Sequence, residues 1–438
     1  MARLNVSPKV TATTHEGAPA FGHLKPIEQL RRSVLSCLLW ESEFYEDGKS
    51  IADRITETAL LVKPKELASL AIEARKVFNL RHVPLLLLDV LSKTGPDLMA
   101  DTTARVISRA DEMGELLSVY WRNGRKSAPR QMRKGIAQAF TKFDEYQLAK
   151  YDRDGAVKLR DVLRIARPKP ANDDQSALWK RVKDRSLKTP DTWEVALSGG
   201  ADKKEAFERL LREGGLGYLA LLRNLRNMAQ AGVDTELVRN AIVARQGGAQ
   251  RVFPFRYVAA ARAAPQFEPY LDQALCEAIS EMPIYLGKTA VLIDVSGSMD
   301  WKLSEKSDMK RIDAAAALGA IIPGDIRLFT FSNSIAEVPP RRGMAGVDAI
   351  VKSQPHGGTN LGQAVSWINA NVKADRLIVI TDEQSHDAVP NAFAKGYMIN
   401  VASAKNGVGY GAWTHIDGFS EGVLRFIREV EGEGQGVS

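Results

Sequence analysis

The amino-acid sequence predicts two structural classes in one chain: an α-helical repeat array, then a Rossmann-like α/β unit with a parallel sheet. Three observations carry this expectation. Residues 25–285 place apolar side chains at helical spacing, with short breaks and no strand-like alternation. From residue 286 short apolar strands alternate with helices. The charge divides at the same point, with 45 Lys and Arg against 36 Asp and Glu in residues 1–285 and 15 against 17 in residues 286–438. A chain of 438 residues is too long for one ordinary core, so domains over 25–285 and 286–432 are expected.

The helical elements follow in order. In KPKELASLAIEARKVFNL, the residues Leu67, Leu70, Ala71, Ala74, Val77 and Phe78 share a helix face, and Pro64 stands near the start, where its missing N–H costs little. The next helix follows Pro84 and ends near Gly95. Asp202 with Glu205 has the capping-box spacing, Gly214 and Gly215 break the chain, and LGYLALLRNLRNM sets Leu216, Leu219, Leu222 and Leu225 on an expected common face. Asp234 caps a helix that stops at Gly247. Helices in succession suggest a solenoid of the HEAT or armadillo kind. No strict sequence period is present, so a compact helical bundle stays open.

In the second part KTAVLIDVS, IRLFTF, RLIVITD and YMINVA read as strands, and RIDAAAALGAII, LGQAVSWINANV and GVLRFIREVEG as helices. Nearly continuous apolar strands imply a buried parallel sheet covered on both faces, with ligands at the carboxyl ends of the strands. Residues 1–24 and the final EGEGQGVS read as mobile tails.

Several function classes are excluded at this level. The apolar run PLLLLDVL at 84–91 is cut by Asp89 and is too short to span a bilayer, so no membrane role is expected. MARLNVSPKV lacks an apolar segment before a cleavage site. Cys37 and Cys276 each sit in an apolar helical pattern, which rules out a disulfide framework and fits the cytoplasm. No G-x-x-x-x-G-K-[ST] occurs, and the pair Gly357 and Gly358 lacks the dinucleotide-binding spacing. No nucleophile and base stand out, and the six histidines read as surface or core residues, so an enzyme is not expected.

Two constellations remain. The first follows a strand: Asp294, Ser296 and Ser298 in DVSGSM, with Thr359 in GGTN and Asp382 in TDE. Two carboxylates and three hydroxyls make an all-oxygen set suited to a hard divalent cation such as Mg2+, with an open position for an acidic ligand. In this order the five residues resemble the metal-ion-dependent adhesion site (MIDAS) of von Willebrand A domains, and each matches by position. The resemblance implies metal-dependent capture of an acidic protein ligand.

The second is charge. Residues 120–190 carry 19 basic and 8 acidic side chains, which points to a polyanionic partner. Within and after this stretch RQMRKGIAQAF, YQLAKYDRDG, LRDVLRIARPKP and LLRNLRNM resemble the TROVE module of Ro autoantigens, their bacterial relatives and a telomerase-associated protein. The likeness covers most of residues 25–285, and an A module follows, as in Ro proteins. It implies a ring of HEAT-like repeats closed by the A module, expected to be monomeric. It also implies binding of small noncoding Y-like RNA and of the single-stranded 3′ ends of misfolded RNAs, with transfer to an exoribonuclease and no catalysis.

The positions carried over for RNA contact are Arg133, Lys134, Lys150, Arg160 and Arg164. Where the family often has a histidine before the PKP end of the third motif, this chain has Arg167, which can stack on a base and hold a phosphate, with an altered base readout. Arg223 and Arg226 are secondary candidates on a helix whose leucines read as core. Two other readings stand beside RNA binding. The cations can form a solvated face paired with Asp152, Asp154 and Asp161, and the chain can be a metal-dependent protein-interaction scaffold.

Overall fold

The computed structural model describes residues 12–13, 19–20, 26–34, 48–122, 124, 126–152, 155–189, 195, 202–252, 254–282, 284–302, 309–401, 413–417 and 422–431. Cys37 and Asp154 lie outside them. Two compact units result, one made of Pro26–Val34 with Lys49–Ala249 and the other containing Gln250–Ser438.

In the first unit the helical spacing seen in the sequence becomes packing. Pro64–Lys76 starts at its proline and buries Leu67, Ala68, Leu70, Ala71 and Ala74. His82–Thr94 is buried from Val83 to Leu91. Its Asp89 is reached by Lys93 at 3.1 Å and Arg122 at 3.6 Å, so the buried carboxylate has cationic partners. Helices pack on near neighbours in the chain: Pro64–Lys76 on His82–Thr94 and Pro96–Val106, Pro96–Val106 on Arg130–Phe140, and Tyr218–Gln230 on Thr235–Ala244. That pattern is the packing of a repeat-like array. Asp202 and Asp234 cap their helices through the N–H groups of Glu205 at 3.0 Å and Glu236 at 2.8 Å. Gly214, at φ +66°, follows the end of Lys203–Arg212 in the left-handed region that glycine adopts without strain.

One expected face is wrong. Leu219 is 41% exposed, and Tyr218–Gln230 buries Tyr218, Leu221, Leu222, Leu225 and Met228 instead. A repeat of three residues lags the helical turn by about 60° per step, so the series 216, 219, 222, 225 drifts off any single face.

The second unit holds β1 (Ala12–Thr13) and β2 (Pro19–Ala20), a short antiparallel pair, and a six-stranded sheet. The sheet is built from β3 (Lys288–Asp294), β4 (Asp325–Phe331), β5 (Ile335–Val338), β6 (Arg376–Thr381), β7 (Lys395–Asn400) and β8 (Thr414–Asp417), in the order β5-β4-β3-β6-β7-β8. All neighbours are parallel except β5, which returns antiparallel on β4. Ala290 and Leu292 of β3 join Leu361, Val365 and Ile368 of Leu361–Asn371 in one core. On the opposite face Ile293 packs so tightly on Gly319 of Arg311–Ala320 that a Cβ there would collide with it. The sheet is therefore covered on both sides, as expected.

Among the described residues after 286, β5, β8 and the helix Gly343–Val351 escape the sequence reading, as does the β1–β2 pair within the expected tail. β5 and β8 have four residues each, and β5 is a partly exposed hairpin return, too short for periodicity to register. Pro254–Ala263 and Glu268–Ser280, which the division at 286 sets with the helical array, cluster by contacts with the sheet. Arg262 reaches Asp313 at 3.7 Å and Asp348 at 3.1 Å, and Asp272 accepts the Met344 N–H at 2.7 Å. Helical rhythm reports secondary structure, not the core a helix joins.

The side chain of Glu431, the first residue of the supposed EGEGQGVS tail, is buried. Its carboxylate takes both Arg376 Nε at 2.9 Å and Nη2 at 2.5 Å, with both side chains 2% exposed, and accepts from Tyr397 Oη at 2.8 Å. Arg376 also donates to Thr289 Oγ1 at 2.9 Å and the Leu286 carbonyl at 2.8 Å. Gly422–Val430 is thereby held against the amino ends of β3 and β6.

Candidate cation site and basic helical face

β3 and β6 are parallel neighbours in a register that sets Ile293 opposite Ile380. Asp294 and Asp382 thus leave adjacent strand ends at the same edge, both fully buried. The Ser296 N–H donates to Asp294 Oδ1 at 2.9 Å, and the Thr381 hydroxyl donates to Asp294 Oδ2 at 2.6 Å. Ser296 and Ser298 have their hydroxyls 3.1 Å apart.

The Thr359 loop is laced to this edge. Gly297 N–H donates to the Gly357 carbonyl at 2.8 Å, and His386 N–H donates to the Thr359 carbonyl at 3.1 Å. His356 lies between Asp300 at 2.8 Å and the Val351 carbonyl at 3.0 Å. Burial opposes its charging, yet these two acceptors hold its pKa above the ordinary histidine value. The glycine pair of GGTN has a steric reason: a Cβ on Gly357 would stand 2.8 Å from Asn333 Cγ, and one on Gly358 2.8 Å from Asn333 Oδ1.

All five expected ligand residues therefore come from strand ends and loops at one end of one sheet. Burial, and then the nearby Asp382 carboxylate, pushes Asp294 up to about 7. Two carboxylates forced together out of water form a set that a divalent cation would stabilise. Among the described residues no group of three or more His, Cys, Asp or Glu side chains is placed to hold a metal. A cation here would rely on Ser and Thr hydroxyls and water, which suits Mg2+ better than zinc. The residues fit the group.

Three neighbours of the site were missed in the sequence. Thr381 orients Asp294, as above. Glu383, at φ +60°, donates its N–H to Thr381 Oγ1 at 3.0 Å and pairs through its carboxylate with buried His415 of β8. A non-glycine residue in that region costs about 1–3 kcal/mol, which the surrounding bonds offset. Arg311, 2% exposed, has Nη1 3.8 Å from Asp382 Oδ2. Of the three, Arg311 alone left a signal: an arginine opening an alanine-rich apolar helix.

The six expected RNA contacts lie on or beside helices that pack together. Arg133 and Lys134 are on Arg130–Phe140, which packs on Leu159–Ala166 carrying Arg160 and Arg164. Arg167 ends the latter helix at φ +51°. Lys150 is on Glu145–Tyr151, which packs on Asp173–Asp184, and that helix packs on Leu159–Ala166. Lys134, Arg164 and Arg167 are exposed, while Arg133, Lys150 and Arg160 are half-buried.

Neutralisation by Asp161 is slight: Arg164 approaches it only to 4.0 Å. A close pair on this face joins Arg181 to Glu145, at 3.0 and 2.9 Å. Lys150 Nζ lies 5.7 Å from the Tyr146 ring and 5.9 Å from the Tyr151 ring, over which Arg109 also sits at 4.4 Å. Tyr146 is 50% exposed. Arg223 and Arg226 are exposed on Tyr218–Gln230.

Residues 170–314 match the family model of the TROVE domain. Asp294, Ser296 and Ser298 fall inside the match, and the six basic candidates precede it. Telomerase protein component 1 of Mus musculus and of Rattus norvegicus are each 33% identical over 93 residues, which is 20% of this chain and 3% of those proteins. The match thus spans a small fraction of those relatives. The crystal structure of the Deinococcus radiodurans Ro (RSR) protein aligns with a TM-score of 0.62 at 18% identity, covering 91% of this chain and 99% of that one. That likeness speaks for the fold: a helical repeat array followed by a von Willebrand A-like sheet domain. The chain is thus similar to TROVE-domain proteins over residues 170–314 and shares the fold of the Deinococcus radiodurans Ro protein.

Proposed function

We propose that this chain is an RNA-binding ribonucleoprotein component, acting in the cytoplasm on small noncoding RNA of the Y type and on the single-stranded 3′ ends of misfolded RNAs. The observation that carries the reading is the basic face. Arg133, Lys134, Lys150, Arg160 and Arg167 sit on or beside mutually packed helices with no carboxylate paired to them among the described residues, next to the exposed ring of Tyr146. Unpaired cations track phosphates, and an exposed aromatic gives an unpaired base a surface to stack on. Duplex RNA hides its bases, so a free single-stranded end is the form that uses both. The chain holds RNA as a scaffold or passes it to an exoribonuclease, and it works as a monomer.

Titrating a structured RNA with and without a single-stranded 3′ tail, at two salt concentrations, tests this. The tail is expected to tighten binding, and added salt to weaken it. Lys150→Glu with Arg164→Glu is expected to weaken it further. Equal affinity for tailed and untailed RNA removes the 3′-end reading, and no RNA binding at low salt removes the whole.

A second activity is favoured by the buried pair Asp294 and Asp382. Asp294, Ser296, Ser298, Thr359 and Asp382 would hold a divalent cation, which supplies an electrophilic position for an acidic ligand of a protein partner. Chelator-sensitive capture of such a partner, lost in Asp294→Asn, is the expected result.

A further inference from the structure

The buried residues of Arg311–Ala320 are apolar apart from the first, Arg311, which is among the largest fully buried side chains of the molecule. Two costs attach to that position. A guanidinium removed from water loses hydration, and a cation in the first turn of a helix opposes the positive end of its dipole. A fixed negative charge offsets both, and Asp382, fully buried, provides one at 3.8 Å. The arrangement is held from two sides. Arg311 N–H donates to the Trp301 carbonyl at 2.9 Å, and the helix packs on β3, β6 and the turn Gly297–Asp300 that carries Ser298.

We propose that Arg311 is the resident counter-ion of the cation site, balancing Asp382 when no metal is bound and biasing the metal-bound site toward an anionic further ligand. The inference rests on the metal reading above and specifies how that site is regulated. With both carboxylates ionised, Asp294, Asp382 and Arg311 together carry one negative charge, so a divalent cation leaves the cluster with one positive charge. A carboxylate or phosphate oxygen in the open position neutralises it. Without the guanidinium the same shell is already neutral, and water suffices. Arg311 therefore lowers affinity for the bare cation and makes cation and anion bind cooperatively, each raising the affinity of the other by the same factor.

The test uses the full chain and Mn2+, with free Mn2+ read by electron paramagnetic resonance. Wild type, Arg311→Met and the site control Asp294→Asn are titrated in plain buffer, with acetate, and with inorganic phosphate. Arg311→Met is expected to bind Mn2+ on the order of tenfold more tightly or better, since a buried positive charge beside the metal has been removed. Wild type is expected to gain affinity with acetate or phosphate, the two arms telling a carboxylate ligand from a phosphate, and Arg311→Met to lose that gain.

Equal Mn2+ affinity in wild type and Arg311→Met, or an anion effect that survives the substitution, overturns the proposal. Should Arg311→Met fold poorly in EDTA, its thermal midpoint with and without Mn2+ carries the same test: the metal replaces the guanidinium and raises the midpoint more than in wild type, and no greater rise overturns the proposal. If neither protein shows binding that Asp294→Asn abolishes, the metal reading itself fails and the proposal falls with it.

Discussion

Arg376 and Glu431 show what a buried charge pair asks of a single residue. Each is removed from water, and the geometry compensates with two hydrogen bonds between them plus the Tyr397 hydroxyl, Thr289 and a backbone carbonyl. Removing one partner leaves the other charge uncompensated, so Glu431→Gln is expected to cost about 3–5 kcal/mol in chemical denaturation. Burial works against the charged form of Glu431, but the Arg376 hydrogen bonds prevail and hold its pKa below the ordinary glutamate range. A depressed folded-state pKa stabilises above the unfolded value and is lost as pH falls through the folded one. The stability gap between wild type and Glu431→Gln should therefore be full at neutral pH and shrink in acid, below the ordinary glutamate range. A gap unchanged into strong acid would contradict it.

This scale is also where the sequence was least legible. Asp294, Ser296, Ser298, Thr359 and Asp382 could be read because hydroxyls and carboxylates at strand ends form a recognisable order. Arg376 and Glu431 lie 55 positions apart and share no local pattern, so only the packed sheet brings them together.

At the scale of elements, close approach competes with helix propensity. Gly135 lies inside Arg130–Phe140, where alanine would gain about 1 kcal/mol of propensity. A Cβ there would stand 2.7 Å from the Ala100 carbonyl oxygen and 2.6 Å from Thr103 Cβ on the packed helix Pro96–Val106. Overpacking against a backbone atom costs about 1–3 kcal/mol, so the steric term wins and Gly135→Ala should lower the thermal midpoint. A raised midpoint would mean the two helices can separate freely.

The same reasoning sorts the leucines of Tyr218–Gln230. Leu222→Ala should lose about 2–5 kcal/mol, while Leu219→Ala should stay within about 0.5 kcal/mol, as denaturation of the two variants would show. The existence of Tyr218–Gln230 was legible, because helical periodicity is local. The face and the neighbouring core were not, because a three-residue series of leucines is ambiguous and a core is assembled from distant segments.

For the whole molecule, the net charge of +7 conceals an asymmetry, the excess lying before residue 286. If that excess engages phosphates, the logarithm of RNA affinity should fall linearly with the logarithm of salt concentration. Each lost contact, such as Lys134→Ala, should reduce the slope by roughly one. An unchanged slope across Lys134→Ala, Lys150→Ala and Arg160→Ala would place RNA elsewhere on the protein. Fold class was legible at this scale, since a change of rhythm near 286 marks the start of the sheet. Pro254–Ser280 is helical like the array yet packs with the sheet, so rhythm alone does not say which core a helix joins.

The Arg376–Glu431 pair has a consequence for synthesis. Glu431 leaves the ribosome after the eight described strands have been made, so the guanidinium buried beside β3 and β6 is without its carboxylate until then. The helical array, built from contacts near in sequence, can settle while translation continues. The sheet unit completes its core only when that carboxylate arrives. Translation that stops short of Glu431 yields a product with an uncompensated interior cation, and such truncated chains should open readily and be removed by cellular proteases.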